Sequence, residues 1–253
     1  MDAPGAALAA GPAPTGASAQ FIEHHGSHRI TVAVPAADAS GSPAGIVVFD
    51  VGADPSSPAA VELWDSNTGL APALTLRRGW YSDAAAPMAR FSSHTRFARG
   101  AGLPGMAWQL QSPAYLGRLS SSELFLRSYS ASQVGLQHGL AIPAADGGAV
   151  ILLLAGHQQP IARRVELAAV GHGGIRSLCG HCQRDGDLFS PALKAPCGAA
   201  LIESCARSGR PSLTRQGAGH DIDGWLAALG ATALLTWPFL ADPAAPVVLA
   251  LWL

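Results

Sequence analysis

Apolar positions in this chain gather into short, strand-length runs separated by Gly- and Pro-containing connectors. Ile30 to Asp38 (ITVAVPAAD) resembles His138 to Asp146 (HGLAIPAAD). Each is followed by a Gly-containing turn and a β-rich run, Gly45 to Val51 and Ala149 to Ala155. Each run then passes through a Pro-containing connector into Val-Glu-Leu, at Val61 to Leu63 and at Val165 to Leu167. A third copy closes the chain as Ala233 to Pro238, a turn through Ala241 to Pro243, and Val247 to Leu253. Runs of this composition predict strand–turn–strand hairpins. Continuous rather than alternating hydrophobicity predicts strands covered on both faces.

Between the hairpins lie two matching interiors. The first predicts strands at Val61 to Trp64 and Ala73 to Trp80, then a helical stretch from Asp83 to His94. Gly100 to Gly105 reads as a shaped loop that opens a short helix at about Gly105, with Pro104 fixing φ. Ser112-Pro113 ends that helix and Ala114 to Leu116 begins a strand. Ser122 to Val134 reads as a helix with Leu124, Phe125, Tyr129 and Val134 apolar, closed by Gly135 as its C-cap. The second interior predicts strands at Val165 to Val170 and Ile175 to Cys182 and a helix near Ala199 to Ser208. Gly209 to Thr214 mirrors Gln111 to Leu116, and Asp221 to Leu229 is a further helix with Asp221 as N-cap. Gly230 precedes Pro238 by eight residues, as Gly135 precedes Pro143. This spacing argues for duplication rather than Ala-rich bias.

The order strand, strand, helix, Gly-rich loop, short helix, strand, long helix, hairpin resembles a GAF domain. The residues that carry the resemblance are Arg99 to Trp108 (RGAGLPGMAW), Ser112 to Leu116 (SPAYL), Phe125 to Arg127 (FLR) and Ala131 to Leu136 (ASQVGL), ending in Ile142-Pro143. The similarity covers residues 61 to 170 well and 165 to 253 more loosely, because the second Gly-rich loop is degraded to Ala195 to Leu201 (APCGAAL). The resemblance implies a GAF/PAS-like α+β fold, duplicated, with antiparallel central sheets flanked by helices and a pocket between sheet and helices. Members of that family bind cyclic nucleotides, linear tetrapyrroles, haem, amino acids or other small effectors, and many dimerise. A few, the free methionine sulfoxide reductases, are enzymes that use cysteines in the pocket.

Composition narrows the rest. Hydrophobic residues make up 49% of the 253 positions and charged residues 13%, about half of ordinary usage. The net charge of -1, from 16 basic and 17 acidic residues, gives no electrostatic case for nucleic acid or an anionic membrane. No apolar run approaches the length of a membrane helix. Residues 1–20 are rich in Ala, Gly and Pro with no basic or apolar leader pattern, and read as a disordered tail. The expectation is a soluble cytoplasmic protein. Residues 21–60 would form a hairpin like the closing one of a GAF unit, 61–164 a first unit, and 165–253 a shorter, degenerate second.

The first unit's pocket would be lined by Trp80, Phe91, His94, Phe97, Trp108, Tyr115 and Phe125. The alternative for each aromatic is an ordinary place in the core. Arg99 and Arg127, with Arg96, stand out in a chain so poor in charge, since arginine pairs bidentately with a ligand carboxylate or phosphate. Surface ion pairs with Asp83 or Glu123 are the alternative. His94 and His138 are candidates for haem ligation or pH sensing, against a plain hydrogen-bonded role. That unit holds no cysteine for a bilin linkage, and no cyclic-nucleotide signature is present.

In the second unit, Cys179-Gly-His-Cys182 has the spacing of a redox pair. Residues three apart in an extended strand point to opposite faces, so a disulfide would need a turn at Gly180. Cys197, Cys205, His172, His181 and His220 add donors, but the spacing lacks the second pair of a zinc site, and no metal site is expected. The reading is a small-molecule-binding sensory or regulatory module without an output domain, acting through a protein partner or a homodimer. The alternatives are a redox enzyme using Cys179 and Cys182, and a structural subunit whose pockets are filled by its own side chains. No cofactor is identified.

Overall fold

The computed structural model describes residues 10–11, 19–24, 29–37, 42–52, 54, 56–67, 71–183, 186–187, 198–217, 222–239, 241 and 246–253. They form a mixed α+β chain of three antiparallel sheets and, among the described residues, five α-helices. The chain divides into two compact units. The first holds Met1–Ala7, Ser18–Val34 and Val48–Ile161, the second Leu8–Ala17, Pro35–Val47 and Ala162–Leu253. No helix among the described residues is long and apolar enough to cross a membrane.

The N-terminal sheet contains β1 (Ala10–Gly11), β2 (Gln20–His24), β3 (Arg29–Ala37) and β4 (Pro43–Gly52), in the order β1-β4-β3-β2. Ala10 and Gly11 pair with Val47 and Ile46. Three residues of the stretch expected to be a disordered tail, Ala10, Gly11 and Gln20, therefore belong to a sheet, and 1–9 and 12–18 lie outside the described residues. Strand β3 buries Ile30, Val32, Val34 and Ala36 and leaves the residues between them half-buried. This is the period of a strand with one well-covered face.

The first unit's central sheet starts with β5 (Ala59–Ser66) and β6 (Ala73–Tyr81). A 3-10 turn at Asp83–Ala85 leads to α1 (Met88–His94), β7 (Arg96–Ala98), α2 (Gly102–Leu110) and β8 (Ala114–Leu116). After a second 3-10 turn at Leu119–Ser121 come α3 (Ser128–Val134), β9 (Leu136–Pro143) and β10 (Ala149–Gly156). The sheet order is β7-β6-β5-β10-β9-β8. The helices and 3-10 turns pack on the face that carries Ala60, Trp64, Val150, Leu152 and Leu154. All of β10 is buried, so this strand is covered on both faces as its continuous hydrophobicity predicts.

The second unit contains β11 (Arg164–Gly171), β12 (Gly174–Cys182), β13 (Gly186–Asp187), α4 (Ala199–Ser208), β14 (Ser212–Arg215), α5 (Asp223–Leu229), β15 (Ala233–Phe239) and β16 (Val247–Trp252). Its sheet order, β13-β12-β11-β16-β15-β14, repeats that of the first unit strand for strand. The irregularities repeat too. The β5–β6 ladder slips between Leu63 and Trp64, and the β11–β12 ladder between Leu167 and Ala168.

Three helices differ from expectation, α2 by starting at Gly102 rather than at about Gly105. Residues 122–127 are not helical, and α3 starts only at Ser128. Phe125 and Arg127 are buried while Leu124 and Leu126 are exposed, and a helix would not turn alternate residues the same way. Turn bonds from Phe125 N–H to the Ser122 carbonyl and from Ser128 N–H to the Phe125 carbonyl hold the segment instead. Helix α5 starts at Asp223 after Ile222, without a side-chain cap; Asp221 lies outside the described residues. Asp223 instead accepts the Gly217 N–H at 3.0 Å.

The Gly-rich loop owes its shape to backbone crowding. Helix α2 starts at Gly102, so Pro104 sits in its first turn, where a missing N–H breaks no bond. A Cβ on Gly105 would sit 2.2 Å from the Ala98 carbonyl oxygen, and the Gly105 carbonyl accepts the Gly100 N–H at 2.8 Å. Gly105→Ala should therefore cost about 2 kcal/mol or more. Gly173→Ala, where a Cβ meets nothing within 4 Å, should stay within about 0.5 kcal/mol of wild type. Urea-unfolding midpoints of the two variants measure the contrast.

Candidate functional site

Strand alternation turns Ala60, Glu62 and Trp64 of β5 toward the helices, and all three are buried. Glu62 has 0% exposure, so its carboxylate depends wholly on protein partners. Five hydrogen bonds reach it. Oε1 accepts from the Tyr81 hydroxyl at 2.9 Å, the Ser92 hydroxyl at 2.5 Å and Arg127 Nη1 at 2.7 Å. Oε2 accepts from Trp64 Nε1 at 3.0 Å and Arg127 Nη2 at 2.8 Å. The arginine thus grips both oxygens in a fork, the strongest geometry for this pair. Arg127 Nη1 also donates to the Ser92 hydroxyl.

Each partner arrives by a local device. Gly79 pairs with Glu62 across the β5–β6 ladder, and a Cβ there would sit 2.7 Å from the Tyr81 ring. The bare glycine lets the Tyr81 ring fold back over its own strand and reach Glu62. Helix α1 presents Ser92, whose hydroxyl also lies 3.0 Å from the Met88 carbonyl. The turn before α3 delivers Arg127, which is 5% exposed. Its guanidinium carbon lies 5.3 Å, 5.7 Å and 5.2 Å from the ring centres of Trp64, Phe97 and Phe125. Aromatic faces at these distances attract a cation, and Trp64 and Phe97 meet edge to face at 4.7 Å.

Burial alone would raise the Glu62 pKa. The Arg127 charge and the hydrogen bonds from Arg127, Ser92 and Tyr81 outweigh it and hold the carboxyl below its usual range. Burial, then the Glu62 charge, pushes the Tyr81 phenol up. The site is an ionised carboxylate with donors converging on it, enclosed by aromatic rings.

Of the residues singled out from sequence, Phe97, Phe125 and Arg127 meet here. Trp108 is buried in the same core but turns its Nε1 to the Gly147 carbonyl at 3.0 Å. Arg99 is exposed and stacks on the Trp108 ring at 4.3 Å. Tyr115 and Trp80 lie on the other face of the sheet, opposite Leu140 and Val61, and the Tyr115 hydroxyl is 2.9 Å from His138 Nδ1. Phe91 and His94 are exposed on α1, with His94 Nδ1 2.8 Å from the Arg90 carbonyl. Glu62, Trp64, Tyr81 and Ser92 are site residues that sequence reasoning did not single out. The available signal was a charged residue inside an apolar strand, repeated as Val-Glu-Leu in both units.

The second unit keeps the buried glutamate and changes its partner. Glu166 faces Gly180 across β11–β12, as Glu62 faces Gly79. Its cation is Arg164 of the same strand, with Nη2 2.7 Å and Nε 3.2 Å from Oε2 and the guanidinium 5.3 Å from the Trp252 ring centre. Cys182 takes the ladder position that Tyr81 holds in the first unit. From Cys179 to Cys182 the ladder is regular, so their side chains leave opposite faces and the strand lacks the turn a disulfide between them requires. Burial pushes the Cys205 thiol up to about 11, leaving it protonated and unreactive at neutral pH. Cys197 and His220 lie outside the described residues. Comparison with protein-family models and with curated proteins gives no match.

The ion pair sets two measurable expectations. Glu62→Leu strands a buried cation and should cost about 3–5 kcal/mol, whereas Glu62→Leu/Arg127→Met should cost clearly less. A double-mutant cycle in urea tests this. A carboxyl held below its unfolded pKa, near 4.5, adds stability that is complete above that value and is lost as pH falls through the lower folded value. Between pH 7 and pH 3 the wild type should therefore lose more stability than the double variant, as read from urea midpoints at both pH values.

Proposed function

We propose that this chain is a tandem GAF-type regulatory module that works by binding a small molecule and passing the event to a protein partner or a second copy of itself. The motif run from Arg99 to Pro143 and the shared strand order of the two sheets support the family reading. One observation carries the functional reading. A carboxylate with converging donors and aromatic walls, centred on Glu62, lies between sheet and helices, where the GAF resemblance puts a pocket. A few convergent polar groups in an apolar enclosure are the design of a small-ligand site. In its resting state Arg127 fills it. The cysteine-enzyme reading loses support because Cys179 and Cys182 leave opposite strand faces.

A second reading, an assembly subunit with a permanently filled interior, is favoured by exposed apolar side chains in the first unit. Phe91, Leu124, Leu126 and Tyr129 are 47%, 50%, 56% and 74% exposed, and such side chains mark contact surfaces when they cluster. Native mass spectrometry and a thermal-shift screen of metabolites separate the two. The sensor reading expects a compound that raises the wild-type melting temperature and leaves Glu62→Leu/Arg127→Met unmoved. No such compound, together with a dimer that Tyr129→Glu dissociates, would establish the assembly reading instead.

A further inference from the structure

We infer that the Glu62 site is a receptor for a small organic monocation, an ammonium or guanidinium head on a short apolar stem, and that Arg127 is its tethered and exchangeable occupant. The inference rests on the sensor reading and names its ligand class. The charge of the site dictates the class. Glu62 is ionised and has 0% exposure, so a neutral or anionic ligand that displaced Arg127 would leave an uncompensated buried charge. The rings of Trp64, Phe97 and Phe125 favour the same sign.

Arg127 also fits imperfectly. The acceptors it uses are both Glu62 oxygens and the Ser92 hydroxyl, while its buried Nε has no hydrogen-bond partner among the described residues. A primary ammonium has three donors for those three acceptors and leaves none over. The position of Arg127 in the chain makes exchange feasible. Glu62 and Trp64 are fixed in a central strand and Ser92 in a helix, but Arg127 ends the turn-bonded segment 122–127, whose Leu124 and Leu126 are exposed. Phe125 anchors this segment in the core, but the segment belongs to no helix or sheet ladder, and backbone held only by isolated turn bonds opens at lower cost than a ladder. Release of Arg127 would free the start of α3.

The test uses the full chain as Arg127→Ala, with ethylguanidinium and propylammonium chlorides as probes against N-ethylurea and sodium chloride. Either cation at about ten times its Kd should raise the melting temperature of this variant by about 3 °C. The controls should not, and Glu62→Leu/Arg127→Ala should not respond. In the wild type, the cations should speed amide hydrogen exchange across 122–134. A folded Arg127→Ala that ignores both cations, or responds equally to N-ethylurea, overturns the ligand class. Rescue without faster exchange in the wild type overturns exchangeability. If Arg127→Ala does not fold, its refolding yield is the readout: recovery with cations only supports the inference, and no recovery overturns it. A neutral or anionic metabolite that stabilises the wild type through Glu62 while the cations fail would sink this inference and leave the sensor reading standing. A metabolite screen empty on the wild type would sink the sensor reading itself.

Discussion

Glu62 holds a full negative charge with no exposed surface, and much of the first unit is arranged to tolerate it. A carboxylate so placed is strongly destabilising unless its lone pairs are filled and its charge balanced. Two partners come from neighbouring β-structure: Trp64 from the same strand, and Tyr81 from the next, which needs Gly79 bare beneath it. The other two arrive from helical connections far along the chain. Ser92 requires α1 to lie against the sheet. Arg127 requires a segment that points alternate side chains inward, which is why the expected helix gives way to turns before Ser128. A polar pair thus fixes conformations that propensity alone would have set otherwise.

The second unit shows the same constraint met differently. Its sheet repeats the strand order, the ladder slip and the glutamate opposite a glycine. Arg164 lies two residues before Glu166 on the same strand, so it shares that strand's inward face and needs no long connection. The N-terminal sheet extends the comparison. Its order β1-β4-β3-β2 has the same relation as β5-β10-β9-β8 within the first unit. On topology alone, it corresponds to four of the six strands of that sheet, more than the closing hairpin that sequence similarity suggests.

Strands were the most legible part of the chain, because runs such as Ala149 to Ala155 are too apolar and too short to be anything else. Gly135 was legible as a C-cap, and Gly209 and Gly230 adopt the same positive φ at the ends of their helices. The site was only half legible. Phe97, Phe125 and Arg127 stand out by type, but their partner does not. A glutamate within an apolar strand reads as a solvent-facing residue unless one knows which face is covered, and that depends on residues far along the chain. Gly79 was invisible for the same reason: its meaning lies in the Tyr81 ring that folds over it. Cys179 and Cys182 show the opposite case: their spacing suggests a pair, but an unbroken ladder turns the two side chains to opposite faces, so spacing alone does not make a disulfide between them.

The origin of each arginine decides what each unit can do. Arg164 belongs to β11, between β12 and β16 in the middle of a sheet, so withdrawing it would break ladder bonds on both sides. It is a fixed counter-charge. Arg127 belongs to a connection held by isolated turn bonds, and its withdrawal breaks the contacts of the site and few others. The same buried charge is therefore locked in one unit and balanced by a removable group in the other.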